Sequence, residues 1–99
     1  MTIKTKPFDA AKYLTTPEAQ AELLADAFAS GNGAYIADAL GIVARARGMT
    51  QVAKDAGITR EALYRALSTD GDPRLSTLLG VAKALGVRLT VAPAEMEKA

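Results

Sequence analysis

The residues best suited to chemistry are polar side chains between positions 51 and 65. They are Gln51, Thr59, Arg60, Glu61, Tyr64 and Arg65. A helix beginning near Thr59 would leave the last five facing solvent. Each of these side chains can donate or accept hydrogen bonds. Arg60 is the strongest candidate for reading a base, because a guanidinium group matches the O6 and N7 acceptors of guanine as a bidentate fork. The stretch therefore predicts a helix face that enters the major groove of DNA.

The other polar residues have more general roles in this interpretation. Thr59 is expected to cap the helix while its hydroxyl and the first-turn N–H groups contact a phosphate. Glu61 could accept a hydrogen bond from a cytosine amine or simply orient Arg60. Tyr64 and Arg65, one turn later, could contact a base edge or clamp the backbone. Gln51 is expected to contact a phosphate from the preceding helix.

Two short helices at residues 50–56 and 59–67 are predicted to position these side chains, with Gly57 and Ile58 between them. In a helix-turn-helix the helices nearly touch, so the close approach needs a small residue such as Ala53. The corner needs a residue that tolerates positive φ, which Gly57 supplies. Inward-facing apolar residues are expected at Val52, Ile58, Ala62, Leu63 and Leu67. The spacing predicts a helix-turn-helix over residues 50–67.

Helices are also predicted before this motif. Asp9 offers an N-cap for a brief helix through Tyr13 and Leu14, and Thr16 with Pro17 opens a longer one that ends at residues 30–33. These one or two helices form an N-terminal extension over residues 1–33. A further helix is expected at residues 34–47, ended by Gly48.

After the motif, Asp72 and Pro73 are predicted to start a helix that ends at Gly86. Its apolar stripe, predicted to be core, is Leu75, Leu78, Leu79, Ala82 and Leu85. This helix completes a DNA-binding core over residues 34–86. Alternation predicts short strands at residues 3–7 and 87–91, paired with each other or across a dimer, and a frayed tail at residues 92–99.

These elements predict one domain over residues 1–99. Its fold class is all-α, with five or six helices, a central helix-turn-helix of repressor-like type and short terminal β segments. The chain has 99 residues, 49% of them hydrophobic, which suits a single core.

Composition argues against an enzyme. Cysteine and histidine are both absent, which excludes disulfides, thiolate or imidazole metal ligands and the usual base at neutral pH. No glycine-rich phosphate loop or paired nucleophile and base is present, so we expect no catalytic residues, no metal site and no cofactor. No apolar stretch is long enough to span a bilayer, and residues 1–8 do not resemble a signal peptide, so a cytoplasmic location is expected.

Charge is unevenly distributed along the chain, although the net charge is only +1. Residues 1–40 carry −2 and residues 68–99 carry zero, whereas residues 41–67 carry +3. This modest basic patch coincides with the predicted motif and favours nucleic acid as a partner. The weak total charge leaves open a helical protein-interaction module without DNA binding, whose acidic N-terminal helix binds a basic partner.

Residues 8–91 resemble the addiction-module antidote proteins, HigA-like antitoxins with a helix-turn-helix of Cro or phage-repressor type. The similarity is carried by DAAKYL at residues 9–14, IVARARG at 42–48, MTQVA at 49–53, REALYRALS at 60–68, and Leu78 with ALG at 84–86. One departure is that Gln51 lies two residues before Ala53, whereas phage repressors place a phosphate-clamping glutamine four residues before the alanine. Met49 occupies that place here.

The resemblance implies the antitoxin of a type II toxin–antitoxin pair. Such a protein binds a RelE-like ribonuclease toxin and, as a homodimer, represses its own operon by binding double-stranded operator DNA. A stand-alone phage-type transcriptional repressor is the alternative within the same motif.

Overall fold

The computed structural model describes residues 10–68 and 70–94, and these residues form helices joined by short connections. A 3₁₀ helix at Ala10–Tyr13 comes first. The five α-helices are α1 (Pro17–Ser30), α2 (Gly33–Arg47), α3 (Met49–Ala56), α4 (Arg60–Ala66) and α5 (Leu75–Ala84). The all-α prediction is therefore confirmed over these ranges. The predicted strand at residues 3–7, the Asp9 cap and the end of the predicted tail lie outside them.

The boundary between α1 and α2 follows from local capping. Thr16 Oγ1 accepts a hydrogen bond from the Ala19 N–H at 3.1 Å, and Pro17 occupies the first turn. Gly31 ends α1, and Asn32 caps α2 by accepting from the Tyr35 N–H at 3.1 Å. The predicted helix start at Pro17 and the break at residues 30–33 are confirmed.

The connection between α3 and α4 is three residues long. Gly57 has φ 78°, in the left-handed region that side chains disfavour, as the sequence predicted. The Ile58 N–H donates to the Ala53 carbonyl at 3.0 Å, which closes the end of α3. Thr59 then caps α4, since its hydroxyl oxygen accepts from the Ala62 N–H at 3.0 Å. The chain thus turns from α3 into α4 in a short, hydrogen-bonded corner.

Helix α3 lies at the centre of the packing, because it contacts α2, α4 and α5. Val52 of α3 is buried, as the sequence predicted for an inward-facing residue, and Ala53 is buried beside it. Gly80 allows α5 to approach closely, since a Cβ there would lie 3.2 Å from the Ala56 carbonyl oxygen. The largest fully buried side chains form the centre of the core: Leu40, Val43, Leu63, Val81 and Leu85.

Helix α5 corrects two predictions. It begins at Leu75 rather than at the Asp72 and Pro73 pair, and Arg74 at its N-cap position is extended (φ −63°, ψ 157°) with no side-chain cap. Because the extended Arg74 follows the Asp72 and Pro73 pair, no helix runs on from Pro73, and the pair belongs to the loop before α5.

The predicted core stripe of α5 is also wrong in part. Leu75 is 68% exposed and Leu79 is 49% exposed, whereas Val81, Ala82 and Leu85 are buried. Packing against α3 selects the face of α5 that carries Gly80 and Val81, which rotates Leu75 and Leu79 into solvent. The exposed pair lies one turn apart on the same side of the helix.

The predicted strand at residues 87–91 is wrong, because this segment has no regular secondary structure and the described residues contain no strand that could pair with it. Its alternation reflects partial packing instead. Val87 and Leu89 are half-buried against the helices, while Val91 is 96% exposed. None of the described helices is both long and apolar enough to cross a membrane.

Candidate nucleic-acid interface

All six residues predicted to contact DNA are exposed. Five of them lie on α4 or at its N-cap, and Leu63 of the same helix is completely buried. Burial of this leucine fixes which face of α4 points outward. The surface formed by Thr59, Arg60, Glu61, Tyr64 and Arg65 is called the α4 surface below.

Arg60 and Tyr64 form a pair on the α4 surface. The Arg60 guanidinium donates a hydrogen bond to the Tyr64 hydroxyl at 3.3 Å, and its central carbon lies 5.4 Å from the ring centroid. The residues are one turn apart, the spacing at which side chains on a helix meet. A cation above an exposed aromatic ring gains about 0.5–1 kcal/mol. The pair orients Arg60 while leaving most of its five N–H donors available.

Thr59 and Glu61 occupy the start of α4. The Thr59 oxygen accepts the capping bond from the Ala62 N–H, so its own hydroxyl proton remains available to donate. Glu61 lies in the first helical turn, where the helix dipole favours a carboxylate. The cap predicted at Thr59 is confirmed, while contacts of either residue with DNA stay predictions.

Gln51 lies on α3 and bonds within its own helix. Its Nε2 donates to the Asp55 carboxylate at 2.8 Å. A carboxylate this close both occupies a donor of Gln51 and repels a phosphate. The structure therefore brings Arg60 and Tyr64 together but does not join Gln51 to them.

The basic residues between 41 and 67 do not form a single surface. Arg47, although exposed, donates from Nε to the Gln20 side-chain oxygen at 2.8 Å and so connects α2 to α1. Gln20 is only 5% exposed, and its Nε2 donates to the Leu14 carbonyl at 2.8 Å. The sequence analysis did not predict this bridge. A glutamine among the apolar residues of α1 was the feature that could have indicated it. The cations on the α4 surface are Arg60 and Arg65 alone.

A second surface lies along α1, the acidic N-terminal helix for which the sequence left a basic partner open, and the groove beside this helix was not predicted. A groove of about 780 Å³ separates this helix from the segment that follows α5. Its walls come from α1, α2, the end of α5 and the residues after it: Ala21, Leu24, Ala25, Phe28, Leu40, Ala82, Gly86, Val87, Arg88, Leu89 and Thr90. This concavity is called the α1 groove below.

One titratable pair stands out near α1. The Tyr35 hydroxyl donates to the Asp26 carboxylate at 2.6 Å. This hydrogen bond is the main cause that raises the pKa of Tyr35, with further contributions from burial and from the charges of Asp26 and Asp38. Across the part of the chain that the structure describes, no group of three or more acidic residues converges in a way that could hold a metal ion.

Comparison with known proteins supplies the remaining observation. Residues 4–93 match the model of a family described as "Probable addiction module antidote protein". An uncharacterized protein from Haemophilus influenzae (strain ATCC 51907 / DSM 11121 / KW20 / Rd) is 45% identical over 91 residues, which cover 92% of this chain and 94% of that protein. No solved structure matches the chain.

Proposed function

Because the chain belongs to the family of probable addiction module antidote proteins, we propose that it is the antitoxin of a type II toxin–antitoxin pair. The match over residues 4–93 is the observation that carries this proposal. In it, the protein neutralises a RelE-like toxin and represses its own operon as a HigA-like, Cro or phage-repressor type of regulator. The family description supports the proposal of a toxin partner, and the α4 surface supports the proposal of DNA binding.

DNA reading is assigned to α4. The short corner at Gly57 and the buried Leu63 hold this helix against α3 with its polar side outward. Arg60, oriented by Tyr64, reads a guanine, and Arg65 one turn later contacts the backbone or a base edge. Thr59 donates its free hydroxyl proton to a phosphate.

A homodimer completes the proposal. A seven-residue α4 offers few base contacts, and two copies on a symmetric operator double them. Leu75 and Leu79 supply an exposed apolar pair on α5 that a second copy can cover isologously. Sedimentation equilibrium of the purified protein should give twice the chain mass, and a monomer at micromolar concentration would contradict this part.

The DNA assignment is tested by gel shift with a fragment carrying the protein's own promoter. Arg60→Ala with Arg65→Ala should weaken specific binding at least tenfold, since one bidentate base contact is worth about 1–3 kcal/mol. Lys12→Ala with Arg88→Ala is the matched control, because it removes the same charge at exposed residues of the 3₁₀ helix and of the segment after α5. Equal weakening in both double variants would contradict base reading by the α4 surface.

The antitoxin assignment is tested separately by co-expression. The product of the adjacent reading frame should arrest growth when expressed alone, and co-expression of this chain should relieve the arrest. A harmless neighbour with intact operator binding would instead favour a stand-alone repressor. Toxin relief without any gel shift would favour a helical interaction module, to which the α1 groove lends support.

A further inference from the structure

The α1 groove has the shape and lining of a site for an apolar segment. Leu24 forms a buried part of its wall, while Phe28, Val87 and Leu89 remain half-buried. A smaller concavity of about 270 Å³ shares Ala21, Leu24, Gly86 and Val87 with it, so the depression continues along α1 towards Pro17. The result is an elongated apolar trough of the kind in which a helix or extended segment can lie.

An acidic row follows this trough along α1. Glu18, Glu22 and Asp26 are exposed and spaced four residues apart, so they lie on one side of the helix. That side adjoins the face of Ala21 and Ala25, which line the α1 groove. Helix α1 contains no lysine or arginine to offset the three carboxylates.

The cations near the trough belong to its other wall. Arg47 is already bonded to Gln20, and Arg88 comes from the segment after α5. The border along α1 is therefore negative, and the cations among the described residues that line the trough are Arg47, which Gln20 engages, and Arg88 on the far side. Such a border attracts a basic partner and repels a nucleic acid backbone.

We propose that the α1 groove and its acidic row bind the toxin, through a segment whose apolar side chains are flanked by lysine or arginine. This inference rests on the proposed function. A toxin that cleaves RNA must itself bind phosphates, so it presents a basic surface that the acidic row complements. The apolar side chains supply most of the affinity, and the charges accelerate and orient the encounter. DNA and toxin thus occupy separate surfaces of opposite charge.

The experiment measures binding of the full chain to the purified product of the adjacent reading frame, by titration calorimetry and by association kinetics. Glu18→Lys with Glu22→Lys should raise Kd at least tenfold at low salt, mainly through a slower association rate. Asp70→Lys with Asp72→Lys changes net charge equally at residues that do not line the trough, and it should alter Kd less than threefold.

A second pair of variants tests the apolar floor. Ala25→Gln places a larger polar side chain in the α1 groove and should raise Kd at least tenfold. Ala34→Gln makes the same change at an exposed position outside the groove and should leave Kd within twofold. An unchanged circular dichroism spectrum and an unchanged urea midpoint show that each variant is folded.

The outcomes separate the site from the function. If the unaltered protein binds the neighbouring product and all four variants bind equally well, the toxin site lies elsewhere and the antitoxin role stands. Equal losses in both charge-reversal variants would show general attraction and overturn the site. Dissociation of the dimer by Ala25→Gln would show that a second copy occupies the groove and would also overturn it. No binding by the unaltered protein would overturn site and function together.

Discussion

The α4 surface and the α1 groove differ in shape, charge and origin. The α4 surface is a row of exposed polar side chains on one short helix, with Arg60 held by Tyr64 within the same helix. The α1 groove is a trough whose walls come from α1, α2 and the residues after α5. The difference teaches that an exposed polar helix face can be encoded locally, whereas a trough between segments depends on how distant parts of the chain pack.

Truncating one leucine at each surface tests this difference. It has the largest expected effect on the free energy of unfolding. Leu63→Ala should lower the free energy of unfolding by about 2–5 kcal/mol, because the side chain under α4 is completely buried. Leu89→Ala should cost about 1 kcal/mol, because a half-buried leucine in the trough wall loses only part of its transfer energy. Urea denaturation measures both.

An equal cost at the two leucines would mean that the trough is packed like core. It would then be no open surface in solution, and the contrast with the α4 surface would disappear. A cost at Leu89 well below that at Leu63 keeps the trough available for a partner.

Removing the threonine cap of α4 or of α1 tests whether the two surfaces act independently. The expected effect on the free energy of unfolding is smaller than that of Leu63→Ala. Thr59→Ala and Thr16→Ala each delete one side-chain hydrogen bond to a first-turn N–H and should each cost about 0.5–2 kcal/mol in unfolding free energy. The binding results should diverge, because Thr59 begins α4 and Thr16 begins α1. We expect weaker operator binding only for Thr59→Ala and weaker toxin binding only for Thr16→Ala, and identical binding profiles would argue against two independent surfaces.

The smallest expected effect is a pH dependence near α1. The pKa of Tyr35 is raised in the folded state, chiefly because its hydroxyl donates to Asp26. Its stabilising contribution is therefore fully present below the pKa of the unfolded chain, about 10, and is lost as pH rises through the higher folded value. Above pH 10, the unfolding temperature of the unaltered protein should fall more steeply with pH than that of Tyr35→Phe. Parallel curves would show that the Tyr35 and Asp26 contact adds nothing to stability.

Sequence spacing predicted most of the helices because their ends are set by local chemistry. Thr16, Asn32 and Thr59 cap helices with their own side chains, and Gly57 turns the chain in a conformation that other residues avoid. The exposed face of α4 followed from the same short-range pattern. These features require knowledge of only a few neighbouring residues.

Tertiary packing decided what the sequence could not. Leu75 and Leu79 fit the apolar stripe of α5, but the close approach of Gly80 to Ala56 turns that stripe partly outward. Residues 87–91 alternate as a strand does, yet a strand needs a partner and the described chain provides none. Gln20 bridges Leu14 and Arg47 across three segments, a contact that no local pattern reveals.

The Gln20 bridge also determines how the molecule opens. The buried Gln20 side chain of α1 hydrogen-bonds both to Leu14, which follows the 3₁₀ helix, and to Arg47 in the last turn of α2. These segments should therefore exchange their amide hydrogens as one cooperative unit, while residues 88–94, whose N–H groups make no backbone hydrogen bond, exchange without protection. Transient opening would then loosen one wall of the α1 groove long before α1 itself unfolds.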